Sequence, residues 1–379
     1  MKKAFLITLT LVFGLQAVIS QELAKTREGG KFGYVNKKAE FVISPKYKKA
    51  NNFADGVALV LEGKKWGYIN PDGQWLLEPQ FSKAKDFNSG VAIVLKEKEW
   101  IYIDKKGKEL AYSDAEKIYP FKNGVAFVRS EDMVGLMNPE GQVIVKPAYK
   151  VIKGFQNGYA RFANQSGQWG IIDNKGNVVI KPEYTSIGNY VNGVARAEKG
   201  EDVYGIVKDN SFNKVDGATK LWDFRSGGKY TIARKDDKIG FIDKEGKWVI
   251  EPQFVKAKSF KNGYAGVYDG NKWGFIDTNG KVIIDYKYND VDYFAENGLA
   301  PVKIDDWGFV NIKGELVIEA KYGITSGSFG FLSGRVAEKG FVDGLARVKY
   351  NKKWGFLKSD GKLLGDKWFE NAEPFMKIK

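Results

Sequence analysis

The feature that most limits this chain is one dipeptide, Trp-Gly, returning at a near-fixed interval. Its glycine stands at Gly33, Gly67, Gly135, Gly170, Gly205, Gly240, Gly274, Gly308 and Gly355. Most steps are 34 or 35 residues; the step from Gly67 to Gly135 is twice 34, with Ile101 at its midpoint. A constant period of this size marks a repeat architecture whose units stack to bury a shared core. Other slots keep step. Pro45, Pro79, Pro147, Pro182 and Pro252 follow twelve residues after the glycine, and an aromatic such as Phe81 or Tyr184 comes two later. A second aromatic follows at twenty (Phe53, Phe87, Phe121, Phe155, Tyr190, Phe260, Phe294, Phe375), and then Gly-x-Ala.

Each unit reads as three short strands. In the second unit these are "GVALVL" from Gly56, "KWGYIN" from Lys65 and "QWLLE" from Gln74. Their β-branched and aromatic residues suit a half-buried pleated surface. The turn between the second and third strands is spelled out by "NPDG", "NPEG", "DKEG" and "DTNG", from Asn70, Asn138, Asp243 and Asp277. Asn or Asp leads, its side chain bonding the backbone two residues on, and Gly takes the left-handed position of a type I turn with a bulge. Pro at the twelfth place is expected to end the third strand, because it cannot donate to a ladder. No segment shows sustained helical periodicity.

The expected fold is therefore all-β: a tandem array of about ten three-stranded antiparallel β-meander repeats, open and solenoid-like or propeller-like. Propellers usually have about four to eight blades of four strands, which points to an open or incompletely closed array, although a chain without visible polar caps favours a closed ring. Residues 21–379 form the array, with a divergent repeat around 201–236 and an insertion at 323–340.

This grammar resembles the bacterial WG-repeat family. The resemblance rests on "WGYIN" from Trp66, "WGIID" from Trp169, "WGFID" from Trp273 and "WGFVN" from Trp307. It implies a β-rich repeat scaffold in exported or envelope-associated proteins, with no general activity and no catalytic motif to carry over.

Residues 1–20 read as a secretory signal. Lys2 and Lys3 precede an apolar run, and Val18 and Ser20 are small residues where a signal peptidase cuts, giving cleavage near Ser20–Gln21. Without Cys there is no disulfide and no lipid-anchoring thiol. The expectation is an exported protein, periplasmic, cell-surface or secreted, with no transmembrane segment after cleavage.

The chain also has no His. A Ser–His–Asp triad, a His base, a His metal site and a thiolate zinc site are all excluded. We therefore expect no enzyme, no metal and no cofactor. The formal charge of +14 favours anionic partners, and its interspersed lysines point away from nucleic acid.

Val134 and Ile239 replace Trp in two repeats. Neither stacks on a ligand, yet both fill a core. The sequence thus assigns structural roles, with the indoles inside, to Trp66, Trp100, Trp169, Trp273, Trp307 and Trp354, and to Gly67, Gly170, Gly274, Gly308 and Gly355. Ile101 in the glycine slot argues that this glycine serves close packing rather than positive φ, so Gly67 should have ordinary strand dihedrals beneath an aromatic ring.

Binding is expected where the pattern breaks or a charge recurs. The insertion carries Phe329, Phe331 and Arg335. Arg161, Arg196 and Arg347 directly follow Gly-x-Ala in their units, positioned to line one groove that takes carboxylates or phosphates. The preferred function is a non-enzymatic exported scaffold for a protein or a cell-envelope component. A glycan-binding module using Trp75, Trp222, Trp248 and Trp368 is the alternative. A carboxylate hydrolase would have to draw on Asp290 and Asp292 or on Asp305 and Asp306.

Overall fold

The computed structural model describes residues 21–112, 117–323 and 339–378. Residues 1–20 and the bulk of the insertion, with Phe329, Phe331 and Arg335, lie outside the described residues. The chain forms ten antiparallel sheets in sequence order, the blades of a β-propeller.

The first blade contains β1 (Glu22–Glu28), β2 (Lys31–Val35) and β3 (Phe41–Tyr47). The second contains β4 (Lys49–Ala50), β5 (Ala58–Glu62), β6 (Lys65–Ile69) and β7 (Trp75–Phe81). The expected three strands are there, and a short fourth strand, of which β4 is the type, precedes them in most blades. It pairs with the first long strand, and the connection between them ends in a two-residue turn. In the second blade Asp55 and Gly56 both have positive φ, and Ala54 and Val57 exchange both backbone hydrogen bonds, at 2.8 and 3.1 Å. That is a type I′ hairpin, which Asn-Gly and Asp-Gly favour.

The preferred open array gives way to a closed ring. Asn371–Ala372 pairs with β1 and stands where the other blades hold their short strand, while Met376–Lys377 pairs with the start of β1. A core cluster spans this joint, uniting Ala24 and Val35 with Phe356, Phe369 and Ala372. Typical blade numbers misled here, because closure depends on how neighbouring sheets pack and not on an upper count.

The proline reading is also corrected. Pro79 lies inside β7, not at its end. Trp66 pairs with Phe81 while Tyr68 pairs with Leu77, so the third strand bulges between them and the proline occupies a position where no ladder donor is needed. This bulge also explains the glycine. Gly67 has no positive φ, and a Cβ placed on it would come 2.8 Å from the Leu77 carbonyl oxygen and from the Trp75 ring, and 2.9 Å from the Pro79 nitrogen. In the third blade, where Ile101 fills the slot, the described part of the third strand is Glu109–Leu110, which pairs without a shift. The Asn70 turn forms as read: its Oδ1 accepts from the backbone N–H groups of Asp72 and Gln74, and Gly73 has φ of 81°. The divergent stretch still builds sheet, ending one blade with Ser211–Lys214 and opening the next with Lys220–Leu221.

Blades join through an aromatic pair. The fully buried Tyr68 meets Phe87 of the following unit at 4.6 Å between ring centroids, and Tyr34–Phe53, Phe241–Phe260 and Phe275–Phe294 repeat this at 4.7–4.8 Å. Where the inner ring is Tyr, its hydroxyl also donates across the joint: Tyr34 to the Asn51 carbonyl and Tyr68 to the Lys85 carbonyl, both at 2.6 Å.

Candidate binding face

The Trp-Gly indoles do not fill the core, which corrects that part of their structural assignment. Only Trp307 is buried; Trp66, Trp169, Trp273 and Trp354 are half-buried and Trp100 is 38% exposed. The reason lies two residues on. Tyr68, Ile171, Phe275, Phe309 and Phe356 take the core position, leaving each indole at the strand's entry, where Trp66, Trp169 and Trp273 flank the hydrophobic clusters. Across the sheet Trp66 lies opposite Phe81, Trp169 opposite Tyr184 and Trp273 opposite Tyr288. The glycine assignments fit the geometry: Gly170, Gly274 and Gly308 face a neighbouring strand carbonyl as Gly67 does, and Gly355 lies under the Trp368 ring.

A cation covers many of these rings. Lys85 lies 5.8 Å from the Trp100 ring centre, Lys153 5.7 Å from Trp169, Lys258 5.3 Å from Trp273 and Lys339 4.3 Å from Trp307. Arg347 lies 3.6 Å from Trp354. Such contacts contribute on the order of 0.5–2 kcal/mol each, more as they lose water. Lys85, Lys153 and Lys258 were missed from sequence. The available signal was a lysine directly after the two-residue strand, as in "KAK" at 83–85 and 256–258.

The arginines occupy joints between blades. Arg161 Nη1 donates a long 3.5 Å hydrogen bond to the Ile187 carbonyl, and Arg196 Nε pairs with Asp223 at 2.8 Å. Arg347 Nε donates to the Ala372 carbonyl, and burial lowers its pKa. Lys25 makes the equivalent bond to the Ala50 carbonyl at 3.0 Å. The three arginines thus share a register position, as their spacing implied, and each reaches the following blade's short strand or the residues just beyond it.

The other aromatics are also engaged. Trp75 stacks edge-on against Tyr47, Trp368 packs near Tyr350, and Trp248 Nε1 donates to the Asp216 carbonyl at 3.1 Å. Trp222 carries Lys220 and Arg234 over its ring. Asp290 lies between Lys258 and Lys339 at 3.2 and 3.4 Å, and Asp292 accepts from the Tyr293 backbone. Asp305 and Asp306 lie in the exposed turn before Trp307. Among the described residues no group of three or more Asp or Glu is arranged to hold a metal, and no helix is long and apolar enough to cross a membrane.

Two shallow clefts interrupt the surface. One, of about 340 Å³, is lined by type I′ turns around Asn157, Asn192 and Gly193 and by Tyr159 and Tyr190. The other, of about 420 Å³, lies between the first two blades beside the hairpins that lead into β2 and β6.

One solved structure agrees with the architecture over nearly the whole chain. The crystal structure of a eukaryotic initiation factor matches with a TM-score of 0.50 at 9% identity, covering 94% of this chain and 98% of that one. BamB from Moraxella catarrhalis matches at 11% identity over 70% and 94% of the two chains, with a TM-score of 0.30. PorZ of Porphyromonas gingivalis, titled an essential bacterial surface component of the type-IX secretion system, matches at 11% identity over 92% and 52%, with a TM-score of 0.26. Only the first of these likenesses bears on the fold, and none bears on function. Among curated proteins none matches. The model of the WG containing repeat matches residues 32–66, 66–100, 102–132, 135–164, 169–201, 239–273, 273–306, 307–323 and 339–354. With most of its length accounted for in this way, the chain belongs to the WG-repeat family.

Proposed function

We propose that this protein is an exported, non-enzymatic scaffold whose ring of blades presents a repeated rim of cation-capped aromatics to a protein or an anionic component of the cell envelope. The observation that carries the reading is the recurrence of one surface unit, a partly exposed indole under Lys or Arg, at Trp100, Trp169, Trp273 and Trp354. Recurrence at one register position of the blade gives weak contacts a common geometry, so several engage one large partner together. Export rests on the reading of residues 1–20 as a secretory leader. The engagement of Asp290 by two lysines supports a structural role for that carboxylate.

The test is fractionation followed by retention. Expressed with its leader, the protein should leave the cytoplasm and sediment with purified envelope. A variant combining Trp100→Ala and Trp169→Ala should fold with an unchanged far-UV spectrum and bind envelope several-fold more weakly. Retention of the protein in the cytoplasm, or equal envelope binding by the variant, refutes the proposal.

A further inference from the structure

The cleft between the first two blades carries a charge pattern that the ring's stability does not require. It is lined by Lys31, Lys46 and Lys48, by Glu62, and by the hairpin tips at Gly29–Gly30 and Gly63. All three lysines are exposed, and among the described residues none makes an ion pair, although Lys46 leans over the Tyr47 ring at 5.2 Å. Many other basic groups in this ring are engaged. Lys25, Arg196, Lys258 and Arg347 each bond a neighbouring blade. The hairpin's own anion-binding capacity is used internally, because the Gly30 N–H donates to the Glu370 carboxylate at 3.1 Å and Arg27 lies 3.6 Å from it. The lysines of the cleft are left facing solvent with one carboxylate among them.

The positive field continues along the chain. Lys49 adjoins Lys48, and Lys64 and Lys65 follow Gly63; all are exposed. The stretch from Phe41 to Asn51 contains no acid. Half-buried aromatics flank the cleft without lining it: Phe32, beneath Lys25 and Arg27, and Trp66, opposite Leu61 in the ladder. The lining is poor in the apolar anchors a peptide would need, with only Leu61 half-buried. Exposed cations along an open trough with few apolar anchors, flanked by aromatics, suit a polar chain of sugar rings whose acid groups meet ammonium ions.

We propose that the cleft between the first and second blades is a binding site for an acidic polysaccharide, with Lys31, Lys46 and Lys48 taking its carboxylate or phosphate groups. This deepens the envelope-scaffold reading and rests on it.

The experiment uses the intact protein and four immobilised polymers: polygalacturonate, a phosphate-bearing teichoic acid, neutral pullulan and poly-glutamate. The protein should bind the first or second and not pullulan, and the preferred polymer identifies the acid group. Binding should weaken steeply with salt. A triple variant, Lys31→Gln with Lys46→Gln and Lys48→Gln, should lose about tenfold or more in affinity, as three exposed ion pairs together imply. A control variant with the same charge change, Lys146→Gln with Lys150→Gln and Lys181→Gln, should bind like the native protein. Equal loss in both variants would reduce the effect to net charge and overturn the site. Preference for poly-glutamate would assign the cleft to an acidic protein, and failure to bind either acidic polysaccharide would likewise reject it. Envelope sedimentation by the cleft variant is measured in parallel. If it persists while no acidic polymer binds, the scaffold reading stands and this site falls; if both fail in the native protein, both fall.

Discussion

Phe356 and Phe375 face one another with ring centroids 4.8 Å apart, the separation at which Phe275 meets Phe294 in the middle of the ring. The last residues of the chain therefore close the ring with the same joint that links interior blades. Phe375→Ala should cost about 2–3 kcal/mol, toward the low end of large aromatic truncations because this ring is only half-buried. Phe294→Ala, at 1% exposure, should cost more, roughly 3–5 kcal/mol. Urea unfolding followed by tryptophan emission measures both. A chain cut after Phe369 should also expand in small-angle scattering, and an unchanged radius of gyration would contradict closure by the terminal strands.

Position 67 offers a test of packing against backbone conformation. Gly67→Ala places a methyl against the Leu77 carbonyl and the bulge at Pro79, so the third strand must shift. The expected loss is about 1–3 kcal/mol, the range for overpacking. Ile101→Gly should lose stability and not gain it, because it removes a half-buried side chain packed against a core cluster. Thermal unfolding of the two variants decides the matter, and a neutral Gly67→Ala would count against the crowding described here.

Tyr68→Phe should be mild. The hydroxyl donates to the Lys85 carbonyl of the next blade at 2.6 Å, and its removal leaves that carbonyl without this partner, at a cost of about 1 kcal/mol. Phe241, Phe275, Phe309 and Phe356 fill the equivalent place elsewhere, so the ring itself is tolerated. A loss above about 3 kcal/mol would show that the hydroxyl supports a larger network than this one bond.

Asp86 should give a distinct pH signature. Asp86 is exposed as a residue, but the protein around its carboxyl partly desolvates it and raises its pKa, outweighing the Asn51 hydrogen bond and the Lys25 charge, which lower it. The folded state thus holds this proton more tightly than the unfolded chain. Stability from this group is present below its ordinary value near 3.8 and is lost as pH rises through the raised folded value. Asp86→Asn keeps an acceptor for Asn51 and removes the titration. The variant's stability should fall less than that of the native protein as pH climbs out of the acid range, in parallel urea titrations. Identical slopes would remove Asp86 as the source.

Much of this architecture was legible because the repeat is written in residues with narrow backbone roles. Asn70, Pro71 and Gly73 specify their turn, and Ile101 in a glycine slot showed that packing, not φ, was at stake. The short fourth strand was missed: Asp55–Gly56 and the Asn-Gly pairs mark its hairpin, but two residues of pairing leave almost no hydrophobic pattern. Closure was not legible, since "NAEPFMKIK" from Asn371 does not resemble an edge strand's partner until β1 lies beside it. The indoles illustrate a different limit. Periodicity places Trp66 and Tyr68 on alternate residues of one strand, the same face, and only the neighbouring blade decides that Tyr68 goes inside while Trp66 stops at the rim. The shared register of the three arginines was legible from their spacing, but their engagement with the next blade's carbonyls and with Asp223 does not appear in a sequence.

The pairing of β1 with Asn371–Ala372 has a consequence for how the molecule is made. Synthesis delivers the first sheet long before the segment that completes it, so throughout elongation one flank of that sheet stays open to any passing strand. The tempo of manufacture, not only the final energy, is thereby built into the ring: until its last turn arrives, the molecule is a clasp without its catch.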